Sequence, residues 1–350
     1  GVTYTHNGLL EPSVGYVNNE HTALRYAGYL ADQIEGNRWA LDVGFRLERM
    51  EGDLNRERSA TSIVAQGAGP ESAALSTAVF GNGAFLNGKV ARTEWAASIG
   101  ALYNATDNLN IYGNFSRGFF FPEIRSVAFN ALGQTASYEG EIILQSELGV
   151  KYKSAGFTGS FAGFWSNLSN RRSVSFVNAP GGGLAEVVTE LTSRTFGLEA
   201  TASYKVTGAL SIDGNATYSE HKVTKSPNPA LIGKELERKP NLFANAGVNY
   251  DDGTFDASIF WNYQGSAFAN AANTVPLGAY SLVRANIGYK IPIGGEQSIR
   301  LGASIFNLFN SQGLAEGSPR QGNNQVAGGQ FFVGRPILPR RFTVTASYSF

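Results

Sequence analysis

The chain has 350 residues, of which 42 are glycine and none is cysteine, and its 28 acidic side chains balance 28 basic ones. The absence of cysteine excludes disulfides and thiolate metal sites, and the zero net charge provides no field that would favour nucleic acid as a partner. No stretch approaches the roughly 20 consecutive apolar residues of a transmembrane helix, so a helical membrane protein is excluded. The three histidines, at positions 6, 21 and 221, match no compact metal-binding motif.

Alternation of apolar and polar residues predicts β-strands that each have one apolar and one polar face. In chain order the clearest segments are 39–48, 196–205, 210–218, 255–264, 298–305 and 341–350. The last segment is strictly alternating, with Phe342, Val344, Tyr348 and Phe350 on its apolar face. Phe260 is an exception, because it falls on the polar face of its segment.

Short and long connections alternate between these strands. Tight turns with Gly or Asx residues are predicted at 35–37, 106–108, 154–156, 206–208, 251–253 and 292–297. Longer polar connections are predicted at about 51–91, 120–141, 169–186, 223–239, 265–278 and 308–339. This arrangement indicates about fourteen antiparallel strands of about ten to fourteen residues, long enough to cross a bilayer when tilted.

A transmembrane β-barrel explains these strands better than a soluble sandwich or propeller does. The predicted strands are longer than the usual five or six residues. Their polar faces carry mid-strand charges, such as Asp42, Arg46 and Glu199, which suit a wet lumen. Aromatic residues cluster near strand ends, as in the interfacial girdles of membrane barrels: Trp39, Trp95, Tyr103, Tyr152, Tyr204, Tyr250, Tyr263, Tyr289 and Phe350. We therefore expect an all-β, transmembrane antiparallel β-barrel.

Six segments resemble, in their order along the chain, the C-terminal barrel of TonB-dependent outer-membrane receptors, the active transporters of Gram-negative bacteria. They are ALRYAGYLADQIEGNRWALDVGFRLERM (23–50), SRGFFFPEIRS (116–126), ILQSELGVKY (143–152), FGLEATASY (196–204), IFNLFN (305–310) and TASYSF (345–350). The resemblance covers essentially the whole chain. It implies that residues 1–350 are part of a 22-strand barrel in the outer membrane, beginning with a strand at 1–5.

The N-terminal plug of that family, its TonB-contact box and about eight strands have no counterpart in the chain. We therefore expect a partial chain whose parent contacts the TonB complex through the plug. A complete fourteen-strand barrel of another family remains an alternative.

Energy-coupled uptake of a scarce nutrient is the function that the resemblance implies, with a ferric siderophore as the leading ligand. The alternatives are a passive, porin-like channel and uptake of carbohydrate or cobalamin. Haem is disfavoured, because residues 119–149 contain no histidine where haem receptors of the family place one. No matched nucleophile, base and acid are evident, so we expect neither an enzyme nor a cofactor.

Arginine and phenylalanine are interleaved near strand ends on the side of the long connections. Guanidinium and ring planes can together hold a bulky, anionic, partly aromatic small molecule from the medium. The candidate ligand-binding residues are Arg117, Phe120, Phe121, Arg125, Arg171 and Arg172. Ordinary loop packing and solvated charge are the alternative explanation for each of them.

The C-terminal strand carries a second candidate site. By resemblance, Phe342, Val344, Tyr348 and Phe350 form the signal that the barrel assembly machinery reads. The same residues also fit a strand face that contacts outer-membrane lipid and lipopolysaccharide, and both roles can hold together.

Overall fold

A computed structural model gives the fold of most of the chain. The residues it describes are 5–6, 9–10, 18–59, 63–64, 77–78, 81–121, 139–178, 184–321 and 330–350. Within those ranges the only helix is one short 3₁₀ turn, Pro229–Leu231. None of the described helical structure could cross a membrane.

The described strands, in chain order, are β1 (Thr5–His6), β2 (Leu9–Leu10), β3 (Asn19–Glu35), β4 (Trp39–Ser59), β5 (Ile63–Val64), β6 (Thr77–Ala78), β7 (Gly81–Asn104), β8 (Leu109–Phe120), β9 (Glu141–Lys153), β10 (Phe157–Asn178), β11 (Leu184–Lys205), β12 (Leu210–Lys225), β13 (Leu242–Asp251), β14 (Phe255–Gln264), β15 (Ala267–Phe268), β16 (Pro276–Leu277), β17 (Tyr280–Gly294), β18 (Gln297–Phe306), β19 (Leu314–Gln321), β20 (Gln330–Pro336) and β21 (Arg341–Ser349).

Thirteen of these strands form one antiparallel sheet in the order β21-β18-β17-β14-β13-β12-β11-β10-β9-β8-β7-β4-β3. The remaining eight pair as β1–β2, β5–β6, β15–β16 and β19–β20. Every strand that the alternation predicted lies in the large sheet, and all six predicted tight turns join neighbouring strands of it. The all-β antiparallel architecture is therefore confirmed.

Several strands are longer than expected. β4, β7, β10 and β11 have 21 to 24 residues, so they extend through much of the predicted connections at 51–91 and 169–186. Pairing continues there between polar side chains, as in the register of Asp53 with Lys89. Among the described residues the sheet has thirteen strands, close to the expected number of about fourteen. Of the strand expected at 1–5, only Thr5 is among the described residues.

The register places apolar residues of neighbouring strands side by side on one face of the sheet. On β11 the apolar run extends from Phe196 to Tyr204, and on β12 from Leu210 to Tyr218. Charged residues follow on the same face, Arg194 on β11 and Glu220 on β12. Nine residues of a tilted strand span the roughly 25 Å apolar band of a membrane barrel, so these runs are the membrane-crossing segments.

An aromatic girdle borders the apolar face at the tight-turn end. Trp39 pairs with Tyr103 across β4 and β7, and Phe157 pairs with Tyr204 across β10 and β11. Aromatic residues at this level are favoured where a barrel meets the membrane–water interface. Outer-membrane barrels have short turns on the periplasmic side and longer loops outside, so we assign the tight turns to the periplasmic side and the long connections to the outer side.

Candidate functional site

Amide side chains form a hydrogen-bonded ladder across the polar face of the sheet. The Nδ2 atom of Asn245 donates to Oδ1 of Asn215 at 2.8 Å, and Nδ2 of Asn262 donates to Oδ1 of Asn245 at 2.5 Å. Asn249 on β13 donates to Asp213 on β12 at 2.8 Å. Polar groups at membrane depth that bond to one another and face away from lipid suit a water-accessible wall.

Aromatic rings on the polar face cover glycines of the adjacent strand. A Cβ added at Gly247 would lie 2.8 Å from the ring of Phe260, and one added at Gly149 would lie 2.7 Å from the ring of Tyr112. Phe260 is the exception to the alternation of its strand, and its pairing with Gly247 accounts for this. Because Gly247 has no side chain, the ring of Phe260 can lie flat against the polar face of the sheet.

Arg117, the first predicted ligand residue, is engaged with its neighbours on β7. Its Nη2 atom lies 3.0 Å from Oε2 of Glu94, and its guanidinium carbon lies 4.1 Å from the ring centroid of Trp95. It also donates to the backbone carbonyl of Trp95, and its side chain is only 12% exposed. Arg117 thus joins β8 to β7, and little of its guanidinium is open to a ligand.

The three phenylalanines that end β8 have different environments. Phe121 is 3% exposed, packs edge-on against Phe119 with 5.0 Å between ring centroids, and lies under the guanidinium of Arg25 at 5.6 Å. Phe120 is 61% exposed. Phe120 is therefore open to solvent, whereas Phe121 is part of the packing. Arg125, the next predicted residue, lies outside the described residues.

Arg171 and Arg172 follow an irregularity in β10. The register shifts between Leu168 and Arg171, and Asn170 adopts the left-handed conformation with φ 56°. The amide of Asn170 donates to Glu139 at 3.2 Å, which fixes the bulge. The backbone N–H of Arg172 donates to Oε1 of Glu141 at 3.1 Å. A bulge of this kind changes the direction in which the following side chains point.

His221 lies on the polar face of β12, beyond the crossing segment that ends at Tyr218. Its Nδ1 atom is 2.9 Å from Oγ1 of Thr195, and its Nε2 atom is 2.8 Å from Oγ of Ser219. Both ring nitrogens therefore have a hydroxyl partner, and the ring is half-buried. His221 is therefore a strand residue whose ring orientation is fixed by hydrogen bonds.

Two cationic side chains act on this ring. Burial lowers the pKa of His221, and the positive charges of Lys239 and Arg171 lower it further, while Glu235 opposes the shift. These effects favour the neutral form of the imidazole. Arg171 and His221 lie on the polar faces of β10 and β12, the two strands that flank β11.

The connection between β12 and β13 is folded back onto β12, which fixes the position of Lys239. Leu236 donates its N–H to the carbonyl of His221 at 3.0 Å. The connection is also tied to the next one, since the N–H of Glu235 bonds to Oδ1 of Asn273 at 2.8 Å and the N–H of Arg238 bonds to the carbonyl of Phe268 at 2.6 Å. The predicted long connections at 223–239 and 265–278 thus form one ordered outer structure.

We call Arg171, His221 and Lys239 the rim cluster. Neither Arg171 nor Lys239 forms an ion pair with any described carboxylate. The cluster therefore presents two cations beside a neutral imidazole at the outer end of the polar face, an arrangement that attracts oxyanions. No group of three His, Asp or Glu side chains suited to a metal ion occurs in the described part of the chain.

Sequence reasoning identified Arg171 but missed His221 and Lys239. The available signal was the position of His221 on the polar face of a period-two segment, combined with the lysines that follow it at 222–239. The contact that brings Lys239 back to this strand depends on the folded connection, which has no local motif.

The predicted C-terminal residues all lie on the apolar face at one edge of the sheet. Phe342 pairs with Ile305 and Val344 with Ala303 of β18. Val344 is 82% exposed and Phe350 is 94% exposed, and the rings of Tyr348 and Phe350 stack with centroids 6.0 Å apart. The edge strand thus presents a continuous apolar surface.

Three solved structures share this fold. The ferric yersiniabactin uptake receptor FyuA from Yersinia pestis has a TM-score of 0.70 at 16% identity, covering 95% of this chain and 47% of that one. The ferric-catecholate import receptor Fiu from K12 E. coli has a TM-score of 0.66 at 19% identity, covering 94% and 45%. The copper transporter OprC has a TM-score of 0.69 at 18% identity, covering 95% and 50%.

The chain spans about half the length of these structures, and at such identities the likeness shows a common fold. The family profile described as "TonB dependent receptor-like, beta-barrel" matches residues 1–308. The match includes the girdle, the rim cluster and every strand of the large sheet except β21. The chain therefore belongs to the TonB-dependent receptor family, and its strands form part of an outer-membrane β-barrel.

Proposed function

We propose that residues 1–350 are the C-terminal barrel part of a receptor for energy-coupled uptake of a ferric siderophore. The observation that carries this proposal is the rim cluster, in which Arg171 and Lys239 lack a described carboxylate partner. Unpaired cations at the outer end of a water-accessible wall favour an anionic ligand. Ferric siderophores are commonly anionic. Two cations without carboxylate partners therefore suit a siderophore better than a carbohydrate or cobalamin.

The ligand would contact Arg171 and Phe120 directly, because a free guanidinium and an exposed ring are the groups available to it. Arg172 is exposed on the same strand, but as the next residue it points to the opposite face from Arg171; it stays in the proposal on its sequence position. Arg117 and Phe121 would support it from below through their contacts with Glu94 and Arg25. Arg125 stays in the proposal on its sequence position alone.

Coupling to the inner-membrane TonB complex would occur through the plug of the parent protein. The apolar face would contact outer-membrane lipid and lipopolysaccharide, and Phe342, Val344, Tyr348 and Phe350 would be read by the barrel assembly machinery. None of these roles requires catalysis, and we propose none. FyuA and Fiu are named for ferric ligands and OprC for copper, so ferric chelates are the first ligands to test.

Growth under iron limitation tests the function of the parent protein. Iron starvation should induce the parent gene, and growth on its cognate ferric siderophore should require both that gene and TonB. Growth that depends on neither would overturn the siderophore proposal, and uptake that persists without TonB would indicate a passive channel.

Charge removal tests the rim cluster in the same strain. Arg171→Gln and Lys239→Gln should each weaken binding of the ferric siderophore about three- to tenfold, since each removes one charge-assisted contact. Lys222→Gln is the matched control, because Lys222 is adjacent to His221 in the sequence but lies on the opposite face of β12 and is paired with Glu220. Equal effects at all three positions would contradict a localised site.

A further inference from the structure

A second set of arginines lies on the polar face, at the other side of the sheet. Phe260 on β14 pairs with Arg284 on β17, the register of β17 with β18 places Phe306 beside Arg284, and Phe306 pairs with Arg341 on β21. Aromatic and cationic residues thus alternate across four adjacent strands. We call these four residues the Phe/Arg row.

Each arginine of the row stacks on a phenylalanine. The guanidinium carbon of Arg284 lies 4.7 Å from the ring centroid of Phe260, and that of Arg341 lies 4.9 Å from the ring centroid of Phe306. Stacking restricts the direction of a guanidinium but uses none of its five N–H donors. The rings therefore orient the two cations without consuming their capacity to bind an anion.

Charge compensation distinguishes these two arginines from their neighbour Arg300. Arg300 forms a bidentate pair with Asp256, with N–O distances of 2.7 and 2.8 Å. Arg284 and Arg341 form no ion pair with a carboxylate anywhere in the described residues. Two oriented guanidiniums on one wall thus lack the counter-charge that the third one has.

A cavity of about 640 Å³ lies beside both arginines. Asn286, Ser304 and Thr343 line it together with Arg284 and Arg341. These side chains are hydrogen-bonding groups of neutral charge, so the net charge of the lining is positive. The two arginines are two strands apart, about 10 Å between their backbones, a separation that a small molecule with several carboxylates can bridge.

A buried, hydrogen-bonded corner follows the outer end of β18. Asn307 has no exposed surface; its Nδ2 atom donates to the carbonyls of Ser311 at 3.0 Å and Leu338 at 2.9 Å, and its Oδ1 atom accepts from the N–H of Ser311 at 2.8 Å. These bonds tie the end of β18 to the segment that enters β21. Phe306 and Arg341 are adjacent to this corner, so the site is held rigidly before any ligand arrives.

We propose that Arg284 and Arg341 form a binding site for small polycarboxylates, with Phe260 and Phe306 as positioning residues. A carboxylate matches the planar fork of a guanidinium and accepts two N–H bonds from it. Such a site would define the chemical class of the ligand in the proposed uptake function, and its biological role rests on that proposed function. Its binding is measurable in the absence of transport.

Isothermal titration of the full-length protein in detergent with citrate alone tests the site. Citrate should bind to the wild type, and Arg284→Gln or Arg341→Gln should each weaken binding about tenfold or more. Phe260→Leu should weaken citrate binding about two- to fivefold, because Arg284 keeps its charge but loses the ring that orients its guanidinium. Arg300→Gln is the matched control and should change the affinity less than twofold, since Asp256 already occupies that guanidinium.

Thermal unfolding and circular dichroism identify variants that fail to fold, and for those a Lys substitution, which keeps the charge, replaces Gln. The proposal is overturned if citrate does not bind the wild type, if Arg300→Gln weakens binding as much as Arg284→Gln does, or if an uncharged polyol such as xylitol binds equally well. Such a failure leaves the growth test of iron uptake unaffected, so the two proposals can fail separately.

Discussion

Gly197→Ala should destabilise the sheet, because the space that its side chain needs is already filled. Gly197 lies on the polar face of β11, opposite Phe164 on β10 and Ser219 on β12. An added Cβ would lie 2.6 Å from the carbonyl oxygen of Tyr218 and would also overlap the ring of Phe164. The ring can rotate away, but the carbonyl belongs to a paired strand and cannot move without breaking the ladder.

Overpacking of this kind costs about 1–3 kcal/mol, and about 0.5–1 kcal/mol is regained because alanine loses less entropy than glycine in a strand. The expected net loss is about 1–2 kcal/mol, or about five- to thirtyfold in the folding equilibrium. Gly163→Ala is the matched control, since its Cβ would meet Leu198 Cδ2 at 3.4 Å and the carbonyl oxygen of Gly197 at 4.0 Å, both ordinary contacts. It should be neutral or slightly stabilising.

Denaturant titrations of the complete protein in lipid vesicles, followed by tryptophan fluorescence, measure both variants. The midpoint of Gly197→Ala should fall while that of Gly163→Ala stays within error of the wild type. If both midpoints fall equally, the close approach of Phe164 and Tyr218 is not the cause.

Three further outcomes are expected. NMR titration of histidine-labelled protein, with His221→Gln for assignment, should give His221 a pKa below 6.5. The folded state then binds the proton less readily than the unfolded state does, so the contribution of His221 to folding stability is present above about pH 6.5 and is lost as the pH falls towards the folded pKa. A measured value of 6.5 or more would contradict the effect of burial. Gly253→Val should lower stability by about 1–2 kcal/mol, because Gly253 has φ +86°, whereas Gly208→Val, in a turn with open space around it, should cost less in the same unfolding assay. Deletion of Phe350 should reduce the amount of folded protein in outer-membrane fractions without reducing synthesis, and normal insertion would rule out its role as an assembly signal.

The crossing segments and tight turns could be predicted because the membrane imposes a period-two pattern on them. Between Phe196 and Tyr204 every second residue must be acceptable to lipid, and that constraint is visible in the sequence. Strand residues outside the membrane are not subject to this constraint. Arg49, Glu51 and Asp53 continue the outward face of β4, yet nothing in their order distinguishes a solvated strand from a polar connection, so the length of β4 was underestimated.

The candidate sites were harder to predict from the sequence. Their residues come from different strands and meet only through the register in which the strands pair. Arg171 could be selected as a charge near a strand end, but its proximity to Lys239 depends on how the connection after β12 folds back. The Phe/Arg row has no compact motif either, since its members are separated by 22 to 35 residues in the chain. Phe260 was its one local signal, an aromatic residue on the polar side of its strand.

Strand tilt places the residues of the Phe/Arg row at different depths in the membrane. The same line of backbone pairing continues from Phe260 through Gly247 to Asp213, close to the periplasmic turn, while Arg341 begins β21 at the outer end. With strands tilted about 40° and about 4.8 Å apart, each step along the line changes depth by about 3 Å. The five steps from β21 to β12 thus descend about 15 Å. An anion held at the proposed site would have to leave two cations and approach the carboxylate of Asp213 in order to move deeper along this line.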